Sequence, residues 1–270
     1  MNYFLDTEFL EGTQKTFFGK SKPTIDLISI GIASEDNREY YAISKDFNLK
    51  EAWNRYDLKE VGDARNMYGD KQTKKVYWIR ENVLKPIYYE LMFGDSPKRT
   101  DKYFTYSIMK RLIKEDGKTN KQIAEEVKVF CTGDEGQHKP CKFYAYYADY
   151  DWVAFCWLFG KMVNLPQGFP MYCRDLKQIL DEKEIARQDG TDMAELRNLP
   201  TYPKQENEHN SLDDAQWNLK LFQFLQLDKR ALNKQKIEDK IVYWAKNLGH
   251  KNLSVNELIE NVKWLLVKIN

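Results

Sequence analysis

Residues 25 to 33, IDLISIGIA, are mainly apolar and rich in isoleucine, and after the polar segment Glu35-Asp36-Asn37-Arg38 the chain turns β-rich again as REYYAI at residues 38 to 43. Two such runs separated by a turn-like stretch specify a hairpin. A shorter apolar run at residues 2 to 6 precedes them. The chain therefore opens as a three-stranded meander, and the helices and strands after residue 45 decide how that sheet is covered.

Residues 46 to 93 read as helical and charged, with Trp78, Val83, Leu84, Ile87 and Leu91 at spacings near three and four. Gly94-Asp95-Ser96-Pro97-Lys98-Arg99 then opens a polar connection reaching toward residue 120, which reads as an insertion or lid. A helical pattern resumes at residues 119 to 131, and KFYAYYA at 142 to 148 has the composition of a central strand. Asp151 to Phe159 turns into an apolar helix. Residues 171 to 185 and 211 to 227 are amphipathic helices on either side of a loop holding Pro200 and Pro203. A meander followed by alternating helices and strands indicates an α/β domain, a mixed sheet flanked by helices.

The tail reads as a separate unit. Ile237, Ile241, Trp244 and Leu248 form one helical stripe that Gly249 can end, and Ser254 with Glu257 makes a capping box ahead of a second stripe, Leu258, Val262, Leu265 and Ile269. The organisation expected is one domain over residues 1 to 228 and a C-terminal helical hairpin over 229 to 270, packed on its own domain or serving a partner or dimer contact.

Charge narrows the classes of function. The 42 Lys+Arg balance 41 Asp+Glu over 270 residues, which excludes a protein whose affinity rests on coating duplex phosphates. Any grip on nucleic acid must be local. An aromatic content of 14% can supply both core packing and stacking surfaces. Cys131, Cys141, Cys156 and Cys173 contain no C-x-x-C pair, which suggests reduced thiols and a cytoplasmic protein. Cys131, His138 and Cys141 could begin a zinc site, but no fourth ligand stands at a recognisable spacing. No basic, then apolar, leader opens the sequence, and no apolar run is long enough for a membrane span.

Three short blocks carry chemistry. Asp6 and Glu8 lie two apart at the end of the first strand, so both carboxylates point to one side of the sheet, which is unfavourable without a neutralising cation. Asp151 follows the KFYAYYA strand at the start of an apolar helix, at a sheet edge where α/β sites lie. Asp149 rivals it, and either can serve only as a first-turn acid. His209 precedes the helix holding Asp213 and Asp214; an imidazole titrates near neutrality and can take a proton from water. Capping by Asn210 or Ser211 is the plainer reading of that block. Gly19-Lys20-Ser21 ends like a phosphate-binding loop, yet Gln14 stands where glycine is needed.

Together, D-x-E, a central Asp and H-x4-D in that order resemble the DEDDh 3'-5' exonucleases of the ribonuclease H-like fold. Integrases and ribonucleases H also place acids on a related sheet, but the H-x4-D block suits the exonuclease better. The phrases DTEFLEG, DLISIGIASEDNREYYAIS, YWIRENVL, YADYDWVAFCWLFG and RDLKQIL look like the RNase AS subgroup, exoribonucleases that favour adenylate-containing RNA. The resemblance spans roughly residues 1 to 227, with gaps. It selects Asp151 over Asp149 through the Y-D-x-V-A setting, and Asp214 over Asp213 through its offset from His209.

The resemblance implies that Asp6, Glu8, Asp151 and Asp214 hold two divalent cations, Mg²⁺ with Mn²⁺ as substitute, and that His209 is the general base. It implies hydrolysis of single-stranded RNA or oligoribonucleotides from the 3' end. A DNA exonuclease and a non-catalytic nucleic-acid-binding module on the same fold are the alternatives. Relatives of this fold are often homodimers. Phe9 and Leu10, directly after Glu8, are candidates to touch the terminal base, though core packing suits them equally. The segments near 54 to 76 and 92 to 141 are longer than the compact form of the family, and the hairpin after residue 228 is additional, so substrate preference does not carry over as the five site residues do.

Overall fold

β1 (Asn2–Lys15) and β2 (Ser21–Ser34) run antiparallel along their length, and β3 (Glu39–Ile43) pairs with the far edge of β2. This is the expected meander, seen in a computed structural model that describes residues 1–15, 19, 21–61, 72–94, 96–133, 140–185, 196, 199 and 201–226. Both long strands reach well beyond their apolar runs. Polar residues at 11 to 15 and 21 to 24 continue the ladder because each strand supplies the other's hydrogen bonds.

The stretch read as helical divides in three. α1 (Leu49–Asn54) is a short helix capped by Asn48, whose side chain accepts from Glu51 N. β4 (Asp57–Val61) and β5 (Gln72–Val76) then form a separate antiparallel pair. Only beyond them does a π turn, Arg80–Leu84, lead into α2 (Lys85–Phe93). The hairpin escaped the sequence reading because its Lys- and Glu-rich strands favour helix locally; cross-strand pairing overrides that preference.

Part of the stretch read as an insertion or lid is anchored in the core. α3 (Tyr106–Asp116), capped by Thr105, buries Met109, Leu112 and Ile113, and α4 (Asn120–Thr132) starts at a capping box of Thr119 and Gln122. β6 (Lys142–Ala145) joins β1 in parallel, α5 (Ala148–Leu158) follows, and β7 (Arg174–Asp175) joins β6 in parallel ahead of α6 (Leu176–Ile185) and α7 (Ser211–Gln226). Two expected boundaries shift. Asp151 lies inside the first turn of α5 rather than opening it, and the segment from 171 is irregular chain and then strand before it becomes helix.

The main sheet has the order β3-β2-β1-β6-β7, mixed in direction. α4 and α5 cover one cluster on it, in which Tyr3, Leu5, Ile30 and Ile32 meet Ile123, Val127, Trp152 and Phe155. A second cluster joins Leu10, Ile28 and Ile43 to Ala52, Val83, Leu84, Ile87, Tyr88 and Met109. Burying each large side chain stabilises the fold by roughly 1.5–3 kcal/mol, so both clusters hold the sheet firmly. This is a ribonuclease H-like mixed sheet flanked by helices.

Two compact units divide the chain, residues 1–178 with 204–220 and residues 179–203 with 221–270. The sheet and every site residue lie in the first. In the second, Leu180, Leu196, Leu221, Phe224 and Leu225 are buried, and Tyr202 meets Phe224 edge-on. The expected 229–270 hairpin lies outside the described residues, as does His138 of the considered zinc set; Cys131 and Cys141 are buried and not joined in a disulfide. No helix among the described residues is long and apolar enough to cross a membrane.

Candidate active site

Asp6 and Glu8 project from β1 just where that strand loses one neighbour. β1 pairs with β6 only over Asn2 to Phe4, so from residue 5 onward its edge on that side is open. Tyr147, in the left-handed region at φ 58°, turns the chain out of β6, and the first turn of α5 enters the opening. Asp151 fills it: Thr7 N and Thr7 Oγ1 donate to Asp151 Oδ1 at 3.0 and 2.6 Å. The main-chain donor that β6 leaves unpaired is thus satisfied by a carboxylate. Asp175 steadies the start of α5 by accepting from Ala148 N at 2.9 Å, and its other oxygen accepts from Lys177 N at the head of α6. Asp149 is exposed and stands apart from this arrangement.

The last block arrives on α7. Gly31, the partner of Asp6 in the β1–β2 ladder, lets the helix come close, since a Cβ there would stand 2.1 Å from Ser211 O. Ser211 Oγ reaches Ser29 Oγ at 3.1 Å, and Asn218 Nδ2 donates to Leu5 O at 3.0 Å. Asn210 caps the helix, its Oδ1 accepting from Leu212 N at 3.0 Å. Asp214 is buried; its Oδ2 accepts from His209 N at 2.9 Å and its Oδ1 from Gln205 Nε2 at 2.6 Å. His209 takes a left-handed φ of 70° to make that bond. Asp213 is less buried and makes none of these contacts.

Carboxylate oxygens of Asp6, Glu8 and Asp214 all lie within 4.8 Å of one another. Asp151 is outside that trio but adjoins it closely enough to act on Asp6. Loss of solvent, then the charges of Asp151, Glu8 and Asp214, push Asp6 well above the usual carboxylate range. Burial raises Asp151 to about 7 against the two Thr7 bonds. It raises Glu8 as well, with His209 opposing, and Asp214, with Gln205 and the His209 N–H opposing. His209 is itself raised by its interaction with Glu8, whose Oε1 is 3.7 Å from Nδ1. Four crowded acids with oxygen donors only fit hard divalent cations of the Mg²⁺ or Mn²⁺ type.

Beside the trio is a cavity of about 300 Å³ lined by Phe9, Glu11, Arg55, Asp57, Trp78 and Ile79. Phe9 forms one wall, stacked on Tyr150 at 5.6 Å. Trp78 forms another and meets the His209 ring edge-on at 4.8 Å. Leu10 is fully buried in the second core cluster, so the expectation that it touches a base does not hold. Trp78 and Thr7 were not singled out from sequence. Trp78 was counted in a helical stripe, and its 40% exposure, which marks it as a surface residue, is invisible without the fold. A larger cavity, about 410 Å³, lies along Tyr41, Tyr89, Glu90, Asn210 and Asp213 and does not include the trio.

A ribonuclease H-like sheet that gathers acids from its first strand, an inner helix and a late helix defines an α/β domain with a cluster of carboxylate oxygens close enough to share a cation. Within that class, the family model for the 3'-5' exoribonuclease Rv2179c-like domain matches residues 106–226. The chain is also similar to two curated proteins of Mycobacterium tuberculosis, 3'-5' exoribonuclease Rv2179c (strain H37Rv) and 3'-5' exoribonuclease MT2234.1 (strain CDC 1551). Each is 26% identical over 225 residues, covering 83% of this chain and 93% of the relative.

Proposed function

We propose that this chain is a metal-dependent 3'-5' exoribonuclease that removes nucleotides from the 3' end of single-stranded RNA or oligoribonucleotides. The observation that carries the reading is the convergence of Asp6, Glu8 and Asp214 within 4.8 Å, with Asp151 alongside. The names of the similar proteins point the same way.

Asp6, Glu8, Asp151 and Asp214 would hold two divalent cations, Mg²⁺ or Mn²⁺. When bound, the pair supplies activation of water and relief of charge on the leaving 3'-oxygen. The chain's own residues do the rest. His209, held by its main-chain bond to Asp214 and by the Trp78 edge, accepts the proton of the attacking water. Thr7 fixes Asp151 through one oxygen, and Gln205 with the His209 N–H fixes Asp214 through both, which orients their remaining lone pairs for the cations. Phe9 and Trp78 offer faces for the terminal base in the adjoining cavity. Holding a few nucleotides of single strand accords with the even charge balance.

The test is incubation of the purified chain with end-labelled single-stranded RNA and DNA, with and without Mg²⁺, beside Asp151→Asn. Stepwise shortening of RNA from its 3' end, dependent on the cation and lost in the variant, is expected. Preferential shortening of DNA would give the activity to the other polymer. Binding without shortening of either would leave a non-catalytic module.

A further inference from the structure

The β4–β5 hairpin falls in the segment that the family resemblance implies is an insertion, and its register carries charges with no evident role in folding. Lys59 and Lys74 are direct cross-strand partners, so both side chains leave the same face. Both are exposed, and neither takes part in an ion pair among the described residues. Like charges placed opposite each other repel, and an anion between them removes the repulsion.

That face is continuous with the site. By strand alternation it also carries Asp57, two residues before Lys59, and Asp57 together with Arg55 lines the cavity walled by Phe9 and Trp78. The opposite face differs. There Lys75 lies over the Tyr56 ring at 4.1 Å, beside exposed Leu58. One face therefore presents two unpaired cations in line with the cavity mouth, and the other engages its cation on an aromatic ring.

We infer that the Lys59–Lys74 face of the β4–β5 hairpin holds the phosphate backbone of single-stranded RNA upstream of the nucleotide being removed. The inference rests on the exoribonuclease reading and extends it: the cavity takes the 3' end, and the hairpin takes the strand leading away. Binding to substrates that reach the hairpin then depends on salt, since each neutralised phosphate releases counterions. A dinucleotide ends before it.

The experiment compares Lys59→Glu, Lys74→Glu and the double variant with Lys75→Glu, which changes charge on the other face as much as either single variant does. Dissociation constants are measured by fluorescence anisotropy over a salt series. The probes are a long single-stranded oligoribonucleotide with a non-hydrolysable terminal linkage and a dinucleotide with the same linkage. Because binding is read directly, a failure of the hydrolysis reading is scored separately, by the shortening assay on wild type.

Expected is a weakening of about tenfold or more for the long RNA in the double variant, with a salt slope shallower by about 1.4, the value for two single-strand phosphates. The dinucleotide should bind as before, and Lys75→Glu should change the long RNA little. Equal weakening by Lys75→Glu, equal weakening for the dinucleotide, or unchanged binding of the long RNA in the double variant would each overturn the inference. Thermal melting checks that the variants remain folded.

Discussion

Gly31 and Ser211 touch through their backbones: the main-chain oxygen of Ser211 lies 2.1 Å from where a Gly31 side chain would begin. Gly31 is also the ladder partner of Asp6. The absence of a Cβ therefore sets how near α7 comes to the sheet, and with it the distance from Asp214 to Asp6. Gly31→Ala is expected to cost about 1–3 kcal/mol of stability, the usual penalty of forced overpacking. It should also reduce RNA hydrolysis beyond what the fraction folded explains. Melting and turnover on the same preparation check this; a variant with wild-type turnover would show that the spacing of α7 is not critical.

Burial of the acids, and then their crowding, gives the metal-free protein an inverted pH response. Asp6, Glu8, Asp151 and Asp214 are raised in the folded state, which therefore binds more protons than the unfolded chain, and stability falls as pH rises. The loss begins in the ordinary carboxylate range and runs through about 7, the value for Asp151, and Asp6, held well above its usual range, carries it further. His209, also raised, adds stability that is lost as pH rises through its own folded value, so the signs agree. Melting of the chelated protein should drop from mildly acid to mildly alkaline buffer, and Mg²⁺ should restore most at the alkaline end. Asp6→Asn should raise the alkaline melting temperature of the chelated protein while abolishing hydrolysis. A flat pH response in chelator would count against the cluster as described.

The meander and the pairing of Asp6 with Glu8 were legible in sequence because each rests on local rules, whereas Asp151 and Asp214 joined them only through the family resemblance. Period-two alternation places Asp6 with Glu8, and a turn-like segment follows β2. Selection between Asp151 and Asp149 was not available from local chemistry, since both stand in the first turn of α5. Only the open edge of β1, beyond its three-residue pairing with β6, separates a buried acid held by Thr7 from an exposed one. The β4–β5 hairpin was hidden because lysine and glutamate favour helix until a partner strand is present. Leu10 and Phe9 are neighbours in sequence, but strand alternation buries Leu10 in a core cluster and leaves Phe9 at the cavity.

Trp78 bears on His209 through its ring edge at 4.8 Å. His209→Ala should reduce kcat by about 10²–10⁴-fold, the usual share of a general base, while calorimetry still detects Mg²⁺ binding. Trp78→Ala should lower kcat and also raise KM, because the same ring orients the imidazole and walls the cavity; Trp78→Phe should recover much of both. A Trp78→Ala effect on KM alone would confine the residue to substrate contact.

Thr7 separates the two acids of α5 in a way that kinetics can read. Asp151→Asn should abolish hydrolysis with the fold intact, and Asp149→Asn, at an exposed position, should be nearly silent. Thr7→Val removes the Oγ1 donor to Asp151 Oδ1 but keeps the main-chain one. A hydrogen bond to a charged group contributes about 1.5–3 kcal/mol, and this one favours the ionised carboxylate. Its loss should push the Asp151 pKa further up. The acid limb of the pH–activity profile should then move to higher pH, with activity recovering as the buffer becomes more alkaline. A uniform loss at all pH values would instead mean that Thr7 acts only by holding the shape of the β1 edge.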